Sequence, residues 1–263
     1  MKKADLSDFT FIVPLRIDSP EREENFEIVL TFLYEHFDAT IMVLEADVEE
    51  KIKVPSYIRK IFIKDDDPVF HHSRYRNFMI KDAETKFISL WDADAIAPEN
   101  QVVEARDMLR ESKCDLVFPY DGRYYHTFPH IKKMYAQKKD TKVLLDNVGM
   151  LPLMHGIHSV GGAIMMNRET YVKAGMENEK FYGWSPEDYE RVLRCEILGY
   201  EITRIDGPLF HLHHPRGKTS KFYSNDINIA SRKELLKICK MTPLELESYV
   251  KSDEWPASKF IKV

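Results

Sequence analysis

Short unbroken apolar runs, separated by segments of helical periodicity, constrain this chain more than any other feature. They are Thr10-Phe11-Ile12-Val13-Pro14-Leu15, Thr40-Ile41-Met42-Val43-Leu44 ending at Glu45, Ile58 to Ile63, Phe87-Ile88-Ser89-Leu90 and Asp115-Leu116-Val117-Phe118. A strand that is apolar on both faces is covered on both faces. Between the first two runs, Ser19-Pro20-Glu21 starts a helix, with Ser as N-cap, Pro at the first position and an acid in the first turn. Its apolar face uses Phe26, Val29, Leu30, Leu33 and Phe37. Tyr75 to Glu84 and Pro98-Glu99 through Leu109 read as further helices. The alternation predicts an α/β fold, with a mostly parallel sheet flanked by helices on both faces.

Residues 120–160 break that rhythm. They are rich in Tyr, His, Lys and Pro and predict an inserted loop region with a short helix near Ile131 to Gln137. Glu169 to Ala174 and Glu187 to Leu198 read as helices, and Glu201 to Ile205 as a late strand. Thr242-Pro243-Leu244-Glu245 is a capping box opening a helix to about Tyr249. Lys233, Lys237 and Lys240 lie among apolar tail positions and suit a solvated amphipathic helix, with an anionic membrane as the other surface they would fit.

The bulk numbers exclude several classes. A net charge of −5 argues against a general nucleic-acid binder. The three cysteines, Cys114, Cys195 and Cys239, are far apart and odd in number, which argues against a disulfide framework or a Cys-rich zinc site. Met1-Lys2-Lys3-Ala4-Asp5-Leu6-Ser7-Asp8 has acids where a signal peptide needs an apolar stretch. No run reaches the roughly 18 apolar residues of a membrane span. The expectation is a cytoplasmic protein, docking peripherally if its substrate is lipid-linked, with oligomeric state left open.

The chemistry concentrates in a few places. Trp91-Asp92-Ala93-Asp94 closes an apolar strand, and two carboxylates there call for a cation. Hard divalent ions take carboxylate and phosphate oxygens, and ligands of open α/β sheets sit beyond the carboxyl ends of strands. A plain Asp-rich turn is the competing reading. Arg74-Tyr75-Arg76-Asn77 offers planar donors for phosphate or carboxylate, or merely a salt-bridged helix start. Phe181-Tyr182-Gly183-Trp184-Ser185-Pro186-Glu187-Asp188 joins aromatic faces that stack on sugars to acids that bind hydroxyls or act as a base. The same acids fit a helix N-terminus capped by Ser185. His211-Leu212-His213-His214-Pro215-Arg216 can complete a metal site begun by carboxylates, or form a surface cluster.

In this order the pieces resemble GT-A fold nucleotide-sugar glycosyltransferases, most nearly the β-1,4-galactosyltransferase-like group, and more broadly the large inverting family of bacterial polysaccharide transferases. Ile12-Val13-Pro14-Leu15-Arg16, Arg76-Asn77, Phe87 to Asp94, Pro98-Glu99-Asn100, Gly161-Gly162-Ala163, Arg168-Glu169, Gly183 to Asp188 and Pro215-Arg216 carry it. The resemblance implies Pro14, Arg16 and Glu45 around the nucleotide and Arg74 or Arg76 near the diphosphate. It implies Asp94 as direct metal ligand, Asp92 orienting ribose, metal-bound water or the ion, and His214, or its competitor His211, as the metal-binding histidine. Gly161 and Gly162 would admit the donor sugar and Trp184 would contact donor or acceptor. Asp188 would be the catalytic base, and Glu187 an acceptor-hydroxyl binder. The implied cofactor is Mn²⁺ or Mg²⁺ and the donor a UDP-sugar, passed with inversion to a glycan. Ser185-Pro186 replaces the Gly-Gly of that group, so its acceptor specificity does not transfer.

The implied organisation is one domain over 1–218, with a nucleotide-binding half to about 118 and an acceptor half from 119, and a helical tail over 219–263. Two rivals compete. A sugar-phosphate nucleotidyltransferase needs a Gly-rich loop after the first strand, where Leu15-Arg16-Ile17-Asp18-Ser19 has no glycine. A non-catalytic nucleotide-sugar or glycan-binding module of the same fold would not need the intact acid pair.

Overall fold

The computed structural model describes residues 2–215 and 223–256. Arg216 and the boundary at 218 and 219 lie outside them. In chain order the elements are β1 (Ala4–Leu15), α1 (Pro20–His36), β2 (Phe37–Asp47), β3 (Arg59–Lys64), α2 (His72–Asp82), β4 (Phe87–Trp91), β5 (Ala95–Ile96), α3 (Glu99–Arg110), β6 (Leu116–Phe118) and β7 (Tyr124–His126). There follow α4 (Pro129–Lys138), α5 (Lys142–Asp146), β8 (Ala163–Asn167), α6 (Arg168–Lys173), α7 (Glu187–Ile197), β9 (Ile202–Arg204), β10 (Leu209–His211), α8 (Asn225–Cys239) and α9 (Pro243–Lys251).

The main sheet has the order β3-β2-β1-β4-β8-β6-β9. Its strands are parallel except β8, which runs antiparallel to both β4 and β6. The fold class is therefore the expected α/β, mostly parallel and flanked by helices. The apolar runs become its centre: Phe9, Phe11, Val13, Val43, Ile88 and Leu90 are all buried. Phe9 stacks on Phe87 at 4.8 Å between ring centroids, and Phe11 meets Trp91 edge-on at 5.5 Å. Ser19 caps α1 as expected, its side chain accepting from the Arg22 amide.

A second, three-stranded sheet, β5-β10-β7, stands beside the main one. β10 pairs antiparallel with β5, His211 opposite Ala95, and parallel with β7, His211 opposite His126. This small sheet and β8 are absent from the sequence reading. Two- and three-residue strands have no periodicity to detect, and the apolar run of β8 hides behind its two glycines.

The tail is packed, not appended. Ile238, Leu246, Tyr249 and Trp255 form a buried cluster with Ile197 and Leu198 of the α7 end. Trp255 Nε1 donates to the Gly175 carbonyl at 2.8 Å. The Thr242 capping box is present. Lys233 and Lys240 are exposed, whereas Lys237 sets its ammonium 3.9 Å from the Tyr249 ring centroid. No helix among the described residues is long and apolar enough to cross a membrane.

Candidate active site

The carboxyl ends of β1, β2, β3 and β4 open on one edge of the sheet, and β8 begins there because it runs the other way. The Asp92 amide donates to the Gly162 carbonyl at 2.8 Å, joining the end of β4 to the start of β8. Asp94 follows, two residues before the end of β5. The Leu212 amide donates to the Asp94 carbonyl at 2.8 Å, extending the β5–β10 pairing and drawing the histidine segment onto the acid.

Asp94 Oδ2 lies 3.2 Å from His214 Nε2 and 3.5 Å from His211 Nε2. One ligand atom from each of these residues lies within 4.8 Å of the others. Adjacent corners of an octahedron with bonds of about 2.1 Å are about 3 Å apart, so the trio fits a divalent ion. His214 Nδ1 lies 2.9 Å from the Pro215 carbonyl, which can only accept, so a neutral His214 turns the lone pair of Nε2 toward Asp94. That arrangement suits a cation between them. Burial pushes the Asp94 carboxyl up, but His211, His214 and Arg22 outweigh it and hold the group well below the usual carboxylate range. Both competing histidines are thus in the cluster. His213 points elsewhere, with its Nδ1 3.1 Å from His126 Nε2. Asn25 of α1 ties the segment down by donating to the Leu212 carbonyl at 3.0 Å.

The acid pair starts α7. Arg76, buried at 3% exposure, joins it to the β4 corner: Nη2 reaches Asp92 Oδ1 at 2.9 Å and Nη1 reaches Asp188 Oδ1 at 3.3 Å. Arg191 holds the same Asp188 oxygen at 2.8 Å and grips Glu177 through Nε and Nη2, both at 2.8 Å. Arg76 is therefore spent on carboxylates, while Arg74, the other diphosphate candidate, is exposed on the first turn of α2. Burial pushes the Asp92 carboxyl up; Arg76 opposes this and Asp94 and Asp188 add to it. Burial, with the Asp188 charge beside it, pushes Glu187 up to about 8. Ser185 does not cap α7. Pro186 holds the cap position, and Ser185 Oγ lies 2.9 Å from Glu187 Oε2.

The glycines serve the protein itself. A Cβ at Gly161 would sit 2.7 Å from Asp188 Oδ2, so the missing side chain admits the carboxylate. Gly162 has φ +86°, and a Cβ there would meet Leu209 at 2.6 Å and the Tyr124 ring at 2.9 Å. Gly161 thus makes room for Asp188, and Gly162 for Tyr124 and Leu209. Glu45 departs from expectation. It is wholly buried, accepts from the Lys51 amide at 2.8 Å and pairs with Lys60 at 3.0 Å, so it braces the chain between β2 and β3 and does not face a ligand.

Pro14 is buried in β1 opposite Leu44, and Arg16 follows at the strand end. Arg16 donates to the Ala46 carbonyl at 2.7 Å and the Asp67 carbonyl at 2.6 Å, and pairs with Asp65 at 3.1 Å. Tyr182 donates to Asp67 at 2.6 Å, linking this corner to the loop that carries Trp184. Trp184 is 44% exposed. Several site residues escaped individual assignment: Arg22, 3.9 Å from Asp94; Glu177; and Tyr124, whose buried hydroxyl has no hydrogen-bond partner among the described residues. Only the aromatic and His-rich composition of residues 120–160 hinted at the last.

No family model matches the chain, and no curated protein matches it. Solved structures do. The catalytic domain of Drosophila β1,4-galactosyltransferase 7, in complex with xylobiose, aligns at TM-score 0.54 and 17% identity over 90% of this chain and 82% of that one. A substituted form of that enzyme, in complex with manganese, UDP-Gal and xylobiose, aligns at 0.54 and 16% over 84% and 78%. Mycobacterium tuberculosis glucosyl-3-phosphoglycerate synthase, in complex with Mn²⁺, UDP and phosphoglyceric acid, aligns at 0.51 and 14% over 89% and 78%. At these identities the likeness is one of fold: the chain has the GT-A fold of nucleotide-sugar glycosyltransferases.

Proposed function

We propose that the protein is an inverting, metal-dependent glycosyltransferase. It moves a hexose or N-acetylhexosamine from a UDP-sugar to a hydroxyl of a glycan acceptor, in bacterial surface polysaccharide synthesis. It works in the cytoplasm and docks peripherally where the acceptor is lipid-linked. The observation that carries this reading is the convergence of the Asp94–His211–His214 trio and the Glu187–Asp188 pair on one sheet edge, with Arg76 bridging Asp92 and Asp188. The manganese and uridine nucleotides named with the structural neighbours support it.

Asp94, His211 and His214 would hold the ion, histidine nitrogen favouring Mn²⁺ over Mg²⁺. When bound, the ion neutralises charge on the departing UDP. Pro14 and Arg16 border the nucleotide pocket, and Arg74, exposed on the first turn of α2, faces the diphosphate. Asp188 is fixed through Oδ1 by two guanidiniums, which leaves Oδ2, beside Gly161, to take the acceptor proton. The acceptor oxygen then bonds the anomeric carbon as the bond to UDP breaks. Glu187 retains its proton to about pH 8 and so can donate a hydrogen bond to an acceptor hydroxyl. Trp184 packs against the sugar.

Replacing the base tests the reading. Asp188→Asn should cut transfer at least about 100-fold while UDP affinity holds. Asp94→Ala should abolish the Mn²⁺ dependence of UDP binding measured by calorimetry. Wild-type turnover in Asp188→Asn removes the base assignment, and equal UDP affinity with and without Mn²⁺ removes the metal. A wild-type protein that binds UDP-sugars but neither transfers nor hydrolyses them is the non-catalytic module instead.

A further inference from the structure

His126 belongs to the loop region where no single residue stood out in sequence. β7 and β10 are in parallel register, with His126 opposite His211, so both side chains leave the same face of the small sheet. Their Nδ1 atoms are 2.9 Å apart, and the other side of the His126 ring, Nε2, is 3.1 Å from His213 Nδ1. An unbroken line of imidazoles thus runs from Asp94 through His211 and His126 to the half-buried His213.

Each of these contacts holds one proton, so the tautomers of neutral rings are locked together. If His211 carries its proton on Nδ1, it donates to His126 Nδ1. His126 then carries its own proton on Nε2 and donates to His213. In the reverse order His211 places its proton on Nε2, against the Asp94 carboxylate. A cation beside Asp94 needs a lone pair at His211 Nε2, which only the first order provides. His214 obtains the same orientation from the Pro215 carbonyl.

We propose that His126 is the positioning residue of the metal site: it accepts the Nδ1 proton of His211 and so turns the His211 Nε2 lone pair to the ion. His126 touches neither ion nor substrate. The inference rests on the reading of Asp94, His211 and His214 as metal ligands, and on hydrogen bonding, with no change in the number of bound protons.

The test is Mn²⁺ affinity in the presence of UDP, by calorimetry and by electron paramagnetic resonance, for wild type, Asp94→Ala and three variants at position 126. Asn places an amide oxygen near the Nδ1 position, which faces His211. Gln reaches the Nε2 position, which faces His213. Phe keeps the ring and no polar atom. His126→Phe and His126→Gln should bind Mn²⁺ about 10–100-fold more weakly than wild type, and His126→Asn should recover most of the loss. If Phe prevents folding, the Asn–Gln contrast decides. Wild-type affinity in the Gln and Phe variants, with affinity lost in Asp94→Ala, overturns the role of His126 and leaves the metal site standing. Equal affinity in wild type and Asp94→Ala overturns both.

Discussion

Burial gives single side chains their chemistry here. Glu187 is a carboxylic acid kept neutral by its surroundings, pushed up to about 8 from an ordinary value of 4.5. A pKa raised on folding contributes stability that is fully present below about pH 4.5 and is lost as pH rises through about 8. Glu187→Gln, which cannot ionise, should therefore raise Tm at pH 8.5 relative to wild type and change it little at pH 4.5, read by thermal unfolding of the metal-free protein. A Tm difference independent of pH would refute the neutral acid. Tyr124 is the complementary case. Its buried hydroxyl has no hydrogen-bond partner among the described residues, so Tyr124→Phe should leave Tm unchanged or higher, yet weaken UDP-sugar binding about fivefold, the worth of one hydrogen bond of about 1 kcal/mol. A titration of both proteins with UDP-sugar checks it.

Helix α7 does its work through its buried face more than through its cap. Arg191 and Arg194, one turn apart on that face, are fully sequestered. Arg194 pairs with Glu190 at 2.7 Å and donates to the Ala174 and Met176 carbonyls; Arg191 pairs with Glu177. Burial works against the Glu177 carboxyl, but Arg191 and Arg76 hold it well below the usual range. Removing one partner of such a pair leaves an uncompensated charge, so Glu177→Ala should cost about 3–5 kcal/mol in denaturant unfolding. It should also depress transfer, because both arginines that hold Asp188 lose a common anchor. A variant as stable as wild type would show the network to be dispensable.

At the scale of the whole molecule, the C-terminal helices secure the segment that bears Glu177. Trp255 packs on Tyr249 edge-on at 5.4 Å, lies 5.2 Å from the Arg194 guanidinium and holds the Gly175 carbonyl. Glu234 of α8 accepts from Asn178 at 3.0 Å. The active edge is thus braced from behind by the chain's last described residues. Trp255→Ala should lower unfolding free energy by about 3–5 kcal/mol and speed amide exchange over 174–180. Unchanged exchange there would mean that the tail only covers surface.

The sequence by itself determined the layered α/β architecture, the helix starts at Ser19 and Thr242, and the acids and histidines that reach the site, because apolar periodicity, caps and Asp-x-Asp spacing are local signals. Tertiary structure alone decided which of these meet. The two- and three-residue strands β5, β7 and β10 bring His126, His211 and Asp94 into line from positions far apart in the chain. It also decided what partners do to identical chemistries. Glu45, Asp92 and Glu187 are all carboxylates near strand or helix ends, yet one braces a loop, one shares a guanidinium and one keeps its proton. Such differences arise from desolvation and neighbouring charge, which depend on distances that no stretch of sequence encodes.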